Sequence, residues 1–226
     1  MVSGIGCSGR MPVYADFCTM HVTHGRALSF ATGLKMAQPQ MKVLAVMGDG
    51  DAVAIGGNHF IHAARRNIGL HAIIINNLIY GMTGGQYSPT TPTDAHATTA
   101  PYGNIEQPFD IARLAEAAGA PFVARGTVYH VHELEKLMEK TLLKTGFALL
   151  EIISNCHVAY GRQNEMGSAV SMLRWMRDSS VPVAKANGSI GKTTRGVLVD
   201  KELPEYTELY AQIIERARSP RPVGSA

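Results

Sequence analysis

Two aspartates stand among glycines where an apolar run ends, in the stretch VMGDGDAVAIGG from Val46 to Gly57. Gly48 and Gly50 let the backbone approach a ligand closely, and a helix starting near Gly57 offers free N–H groups that suit a phosphate. An aspartate facing a phosphate repels it unless a cation lies between them. Magnesium meets that need, because its octahedral oxygen shell takes one or two protein carboxylates and fills with phosphate oxygens and water. Asp49 is the candidate carboxylate. Asn77, in NNLIYG, follows Asp49 by 28 residues, the length of one strand-to-strand crossover, and can supply an amide oxygen, with a main-chain carbonyl just after it as another. The competing reading is a tight turn with asparagines capping a strand end. GDG alone is too short a motif to exclude it, whereas the pair at this spacing favours the cation.

These residues need elements to hold them. KVLAVM (Lys42 to Met47) and HAIIIN (His71 to Asn76) read as buried strands, and NHFIHAARRN between them as a helix with Asn58 as its N-cap. A helix through GRALSFATGLKM precedes this βαβ unit. A loop from Asn77 to about Gln107 follows it, and then DIARLAEAAG, PFVAR, HELEKLMEKTLLK and FALLEII alternate helix and strand. The alternation predicts an α/β fold, a mostly parallel sheet with helices on both faces, whose ligands sit beyond the carboxyl ends of the strands. The loop exceeds the ~12 to 15 residues usual for structureless connections, which marks it as functional or covered by a partner. Beyond Ser154, EMGSAVSMLRWMRD reads as a helix, GVLVD as a strand and LPEYTELYAQIIERAR as a helix. The expected organisation is a binding domain over 1–160 and an extension over 161–226 that packs on that domain or on a partner.

Composition narrows the function classes. The 226 residues are 46% hydrophobic and 17% charged with a net charge of +3, enough for one sizeable core and without a basic stripe to track nucleic acid. The apolar runs fall short of the ~20 residues of a membrane span, and the start MVSGIGCSGR lacks the regions of a signal peptide, so a cytoplasmic protein is expected. Cys7, Cys18 and Cys156 are too sparse for a disulfide framework. His59 and His62 lie one helical turn apart but lack a third ligand, and read as a helix face. His130 and His132 read as solvated, Met36, Met41, Met47 and Met82 as core filler, and Cys18 as a buried structural thiol.

The blocks GIGCSG, HGRAL, GDGDAVAIGGNHFIHAARRNIG, NNLIYGMTGGQYSPT and FALLEI fall in order across residues 4 to 160. Together they closely resemble the β subunit of 2-oxoacid:ferredoxin oxidoreductases, most of all the 2-oxoglutarate type, in which GDG and NN form the magnesium and diphosphate motif of thiamine diphosphate enzymes. The resemblance implies the thiamine diphosphate-binding fold, with magnesium held by Asp49, Asn77 and the Ile79 carbonyl. It places Gly50 and Asp51 against the diphosphate and Gly81 and Met82 beside the cofactor, and it makes Ile5, Gly6, Cys7, Ser8, His24, Gly25, Arg26 and Ala27 part of the thiamine site.

The same resemblance changes the reading of two cysteines. Cys7 and Cys156 match two ligands of a four-iron four-sulfur (4Fe-4S) cluster that needs four. The CxxC that supplies the others is absent from a sequence starting six residues before Cys7, and is expected in a preceding segment. The family's reaction converts a 2-oxoacid and coenzyme A to acyl-CoA and carbon dioxide, with electrons passing to ferredoxin. An α subunit carrying the pyrimidine-binding domain supplies the activating carboxylate, so no catalytic side chain is expected here. Arg10 is the candidate for pairing with the distal carboxylate of 2-oxoglutarate, beside the plainer reading of a surface arginine. The alternatives are a non-oxidative thiamine diphosphate decarboxylase or synthase subunit, and a non-catalytic structural subunit of the same fold.

Overall fold

The computed structural model describes residues 1–16, 18–186 and 191–219. The chain opens with two short strands, β1 (Val2–Ser3) and β2 (Met20–His21), on either side of a helical turn over Ser8–Tyr14. Helix α1 (Ala27–Ala37) leads into β3 (Val43–Gly48), α2 (Gly57–Arg66) and β4 (Leu70–Asn76). A small hairpin of β5 (Ile79–Tyr80) and β6 (Gln86–Tyr87) comes next, then α3 (Ile111–Ala117), β7 (Phe122–Thr127), α4 (Val131–Leu143) and β8 (Ala148–Ile153). The last elements are α5 (Ala169–Ser179), β9 (Ser180–Pro182), β10 (Thr193–Asp200) and α6 (Tyr206–Arg218).

Eight strands form one sheet in the order β2-β1-β3-β4-β8-β7-β10-β9, with β10 antiparallel to β7 and every other pair parallel. The four central strands are buried on both faces, which is why they read as apolar runs rather than as alternations. One face packs α1, α2 and α3 over Ala45, Met47, Ala72, Ile74 and Leu149, and the other packs α4 over Val46, Ile73, Ala124 and Leu150. The register pairs Gly48 with Ile75, so Asp49 emerges level with Asn76 at the carboxyl ends of β3 and β4.

Several expectations need correction. Gly56, not Asn58, occupies the cap position of α2, because a π-helical turn over Asp51–Ile55 runs straight into the helix. Cys18 is exposed, His130 is half-buried with Nδ1 2.8 Å from the Thr127 hydroxyl, and Met41 and Met82 are exposed instead of filling the core.

The long connection after Asn77 is folded on itself. Asp94 N–H donates to the Asn104 carbonyl at 2.7 Å and Thr98 N–H to the Gly85 carbonyl at 2.8 Å, while the buried Asn104 amide donates to the Thr91 carbonyl at 2.9 Å. Its apolar side, Ile79, Ala95 and Ala97, packs against Tyr160 and Met172, so the chain's own later segment covers it.

The segment leading into α6 is tied to the sheet through Asn67, the left-handed C-cap of α2 with φ 51°. Its amide nitrogen donates to the Pro204 carbonyl at 2.8 Å and its oxygen accepts from Phe147 N–H at 2.8 Å. Glu205 accepts from Gly69 N–H at 2.7 Å and caps α6. Asn67→Ala would leave the buried Phe147 N–H unpaired and keep a β-carbon in the left-handed region without the side-chain bonds that offset its cost. It is expected to cost about 2–4 kcal/mol in urea denaturation, with Asn67→Gly costing less. A loss below about 1 kcal/mol for Asn67→Ala would contradict this role for Asn67.

Candidate functional site

Asp49 sits one residue past β3, buried to 3% exposure. One carboxylate oxygen, Oδ2, accepts from the Ser88 hydroxyl at 2.6 Å and the Thr90 hydroxyl at 2.5 Å, and no cationic side chain pairs with it among the described residues. Burial pushes its pKa upward against these hydrogen bonds. The carboxylate is therefore held in place but lacks a countercharge.

The end of β4 turns sharply beside it. Leu78 has φ 66°, a left-handed conformation costing roughly 1–2 kcal/mol for a residue with a β-carbon. Its N–H donates to Asn76 Oδ1 at 3.2 Å and its carbonyl accepts from the Thr91 hydroxyl at 2.6 Å. Asn77 and Ile79 flank the turn, and both line the same cleft as Asp49. Behind them a buried polar chain crosses the sheet: Asn76 Nδ2 donates to Glu151 at 2.8 Å, Arg125 Nε donates to Glu151 at 2.7 Å, and Arg125 continues to Asp110.

The cleft encloses about 770 Å³, within the range of cofactor sites. Ile5, Gly6, Cys7, Ser8, His24, Gly50, Asp51, Tyr80, Gly81 and Met82 all line it. Asp51 is buried, with Oδ1 accepting from Gly25 N–H at 2.5 Å and lying 2.8 Å from His24 Nδ1, while Oδ2 has no hydrogen-bond partner among the described residues. Burial raises its pKa, opposed by the Gly25 amide and His24. The Tyr80 hydroxyl is pushed up by burial and by the two aspartates, and it donates to the Gly50 carbonyl at 3.3 Å. A β-carbon at position 50 would collide with the Tyr80 ring in its present position, so any larger residue there must displace that ring.

Both cysteines stand at the cleft's edge. A β-carbon on Gly81 would lie 3.2 Å from Cys156 Sγ and 4.0 Å from Cys7 Sγ, so both sulfurs flank the residue that follows β5. Arg10 lines the cleft and an adjoining hollow of about 370 Å³ with Thr19 and His21. Gly25 contributes through its N–H to Asp51. Arg26 and Ala27 do not line the cleft: Arg26 donates to the Ile55 carbonyl at 3.2 Å, and Ala27 is buried at the start of α1.

Sequence reasoning missed Tyr80, Ser88, Thr90, Thr91, Asn76 and Glu151. Ser88, Thr90 and Thr91 fall inside the quoted block ending YSPT and its next residue, and hydroxyls beside a carboxylate motif were the available signal. Glu151 carried its own signal, as the one charged residue inside the apolar run FALLEII.

The fold and this cleft define the class. Residues 4–152 match the family model described as thiamine pyrophosphate enzyme, C-terminal TPP binding domain, so the chain is a thiamine pyrophosphate enzyme of that domain type. It is 48% identical over 223 residues to the 2-oxoglutarate synthase subunit KorB of Methanocaldococcus jannaschii, covering 96% of this chain and 83% of that protein. The KorB of Archaeoglobus fulgidus is 60% identical over 69% of this chain and 58% of its own length. A solved structure, 2-oxoglutarate:ferredoxin oxidoreductase from Magnetococcus marinus with 2-oxoglutarate, coenzyme A and succinyl-CoA bound, superposes with a TM-score of 0.88 at 33% identity over 99% of this chain and 78% of that one. The chain belongs to the KorB family, the β subunits of 2-oxoacid:ferredoxin oxidoreductases.

Asp49 gives a pH test. A carboxyl whose folded pKa is raised binds more protons folded than unfolded, so its contribution to stability falls as pH rises from the ordinary 3.8 through the folded value. In cation-free buffer Asp49→Asn, which keeps an acceptor for Ser88 and Thr90, is expected to be more stable than wild type at neutral pH. The difference should shrink as pH falls toward 4. Urea midpoints across pH check this, and a difference independent of pH would contradict it.

Proposed function

We propose that this chain is the cofactor-binding β subunit of a 2-oxoglutarate:ferredoxin oxidoreductase. With an α partner it converts 2-oxoglutarate and coenzyme A to the acyl-CoA and carbon dioxide and passes two electrons to ferredoxin. The observation that carries the reading is the meeting of Asp49, Asn77 and Ile79 in one cleft with Cys7 and Cys156 at its edge.

The residues fit magnesium. Asp49, the Asn77 amide oxygen and the Ile79 carbonyl are an all-oxygen set, and a cation there would supply the countercharge that the buried Asp49 lacks. When bound, thiamine diphosphate supplies a carbon nucleophile and an electron sink for loss of carbon dioxide from a 2-oxoacid. Gly50 lets the backbone reach the diphosphate, and the Tyr80 hydroxyl, with its pKa raised, stays a proton donor beside it. Ile5 and Met82 give the cleft apolar walls that keep water from the thiamine rings.

The sulfurs of Cys7 and Cys156, both beside Gly81, fit half of the thiolate set of a 4Fe-4S cluster, through which electrons would leave toward ferredoxin. A non-oxidative decarboxylase would give these two sulfurs no role. The exposed Met11 and Tyr14 at the cleft mouth suit coverage by the α subunit, which would bring the pyrimidine-binding domain and its carboxylate. No helix among the described residues is long and apolar enough to cross a membrane, which accords with work in the cytoplasm. Arg10 is free of ion pairs among the described residues and can take the distal carboxylate of 2-oxoglutarate bidentately.

Coexpression with the α partner tests this. The complex should contain iron and reduce viologen only with 2-oxoacid and coenzyme A together, and Arg10→Ala should raise KM for 2-oxoglutarate far more than for pyruvate. Failure to reduce viologen with any 2-oxoacid would overturn the function, and equal KM changes would remove Arg10 from it.

A further inference from the structure

We propose that Thr91 and Asn76 are positioning residues for the cation site: they clamp Leu78 in its left-handed conformation and thereby fix the directions of Asn77 and the Ile79 carbonyl. The inference rests on the reading that those two groups, with Asp49, hold magnesium.

Leu78 is held from both sides of its own residue. Its N–H is taken by Asn76 Oδ1 at 3.2 Å and its carbonyl by the Thr91 hydroxyl at 2.6 Å. Leucine adopts a positive φ only under such compulsion, and a swing of this residue toward an ordinary conformation would redirect both flanking ligands. The sheet does not impose the turn, since β5 beyond it pairs only with β6, outside the eight-stranded sheet.

Each half of the clamp is itself oriented. Thr91 is fully buried and its oxygen accepts from Ser88 N–H at 2.8 Å, which leaves its single proton for the Leu78 carbonyl. The Asn76 amide can point either way in isolation, but its nitrogen donates to Glu151 at 2.8 Å, so its oxygen end faces Leu78. Glu151 is in turn fixed by Arg125 at 2.7 Å, a buried ion pair between register partners inside β8 and β7.

The segment Ser88 to Thr91 thus serves both strand ends. Ser88 and Thr90 hold Asp49 at the end of β3, and Thr91 holds the turn at the end of β4. Three hydroxyls within four residues set the distance between the carboxylate on one strand and the amide and carbonyl on the next. Hydrogen-bonded supports of metal ligands of this kind typically change metal affinity by about 10–100-fold when removed.

Thiamine diphosphate binding to the complex with the α partner, measured by calorimetry across a magnesium series, tests the clamp. Thr91→Val, which removes the hydroxyl and keeps the shape, should raise the magnesium needed for half-saturation about tenfold. Thr91→Ser should leave it near wild type. Adding Leu78→Gly to Thr91→Val should bring the requirement back down, because glycine adopts the left-handed conformation unaided. The same addition should lower the thermal midpoint further, since Leu78 packs beside Tyr160 and Met172. A role in stability alone would move both readouts together, and that result would overturn the proposal. An unchanged magnesium requirement in Thr91→Val, beside a wild type that binds, would overturn the clamp alone. A wild-type complex that takes up no thiamine diphosphate would overturn it together with the reading beneath it. Where Thr91→Val does not assemble, Leu78→Val, β-branched and still less tolerant of positive φ, should raise the requirement, and no change there would equally overturn the clamp.

Discussion

A carboxylate buried at the end of a parallel strand without a countercharge dominates this molecule. Taking a charge out of water is unfavourable by several kcal/mol unless other groups compensate it. Asp49 receives two hydroxyl hydrogen bonds, which offset part of that penalty, and the upward push on its pKa shows that they do not offset all of it. Neighbouring Asp51 is buried as well, with Oδ1 held by the Gly25 amide and His24 and with no hydrogen-bond partner for Oδ2 among the described residues. Two buried carboxylates at a strand end are the groups that the proposed cation would neutralise.

The surrounding structure follows from keeping that place rigid. The β3 and β4 register brings Asp49 level with Asn76, and the left-handed Leu78 turns the chain so that Asn77 and Ile79 border the same space. The excursion between β4 and α3 returns Ser88, Thr90 and Thr91 to the strand ends, and its fold depends on Tyr160 and Met172 from after β8. The later part of the chain therefore reaches the site twice, through Cys156 at the cleft edge and through the packing that seats the hydroxyl segment.

The residues with the highest information density were readable in advance. Val43–Gly48 and Leu70–Asn76 are apolar because both their faces are buried, so the strands and the ends that carry Asp49 and Asn77 could be located within a residue. The hydroxyl cradle could not, because Ser88 and Thr90 lie some 40 residues from Asp49 and meet it only through the folded excursion. Asn58 misled because it is a good cap in general, whereas the turn at Asp51–Ile55 removes the free helix start that a cap would serve. Arg26 and Ala27 came in with their motif block, yet the helix they begin faces the core rather than the cleft.

Anomalous diffraction from crystals grown with thiamine diphosphate, with manganese in place of magnesium, tests the central claim most directly. The expected result is one strong peak bounded by the Asp49 carboxylate, the Asn77 amide oxygen and the Ile79 carbonyl. A peak elsewhere, or none beside an ordered cofactor, would contradict it.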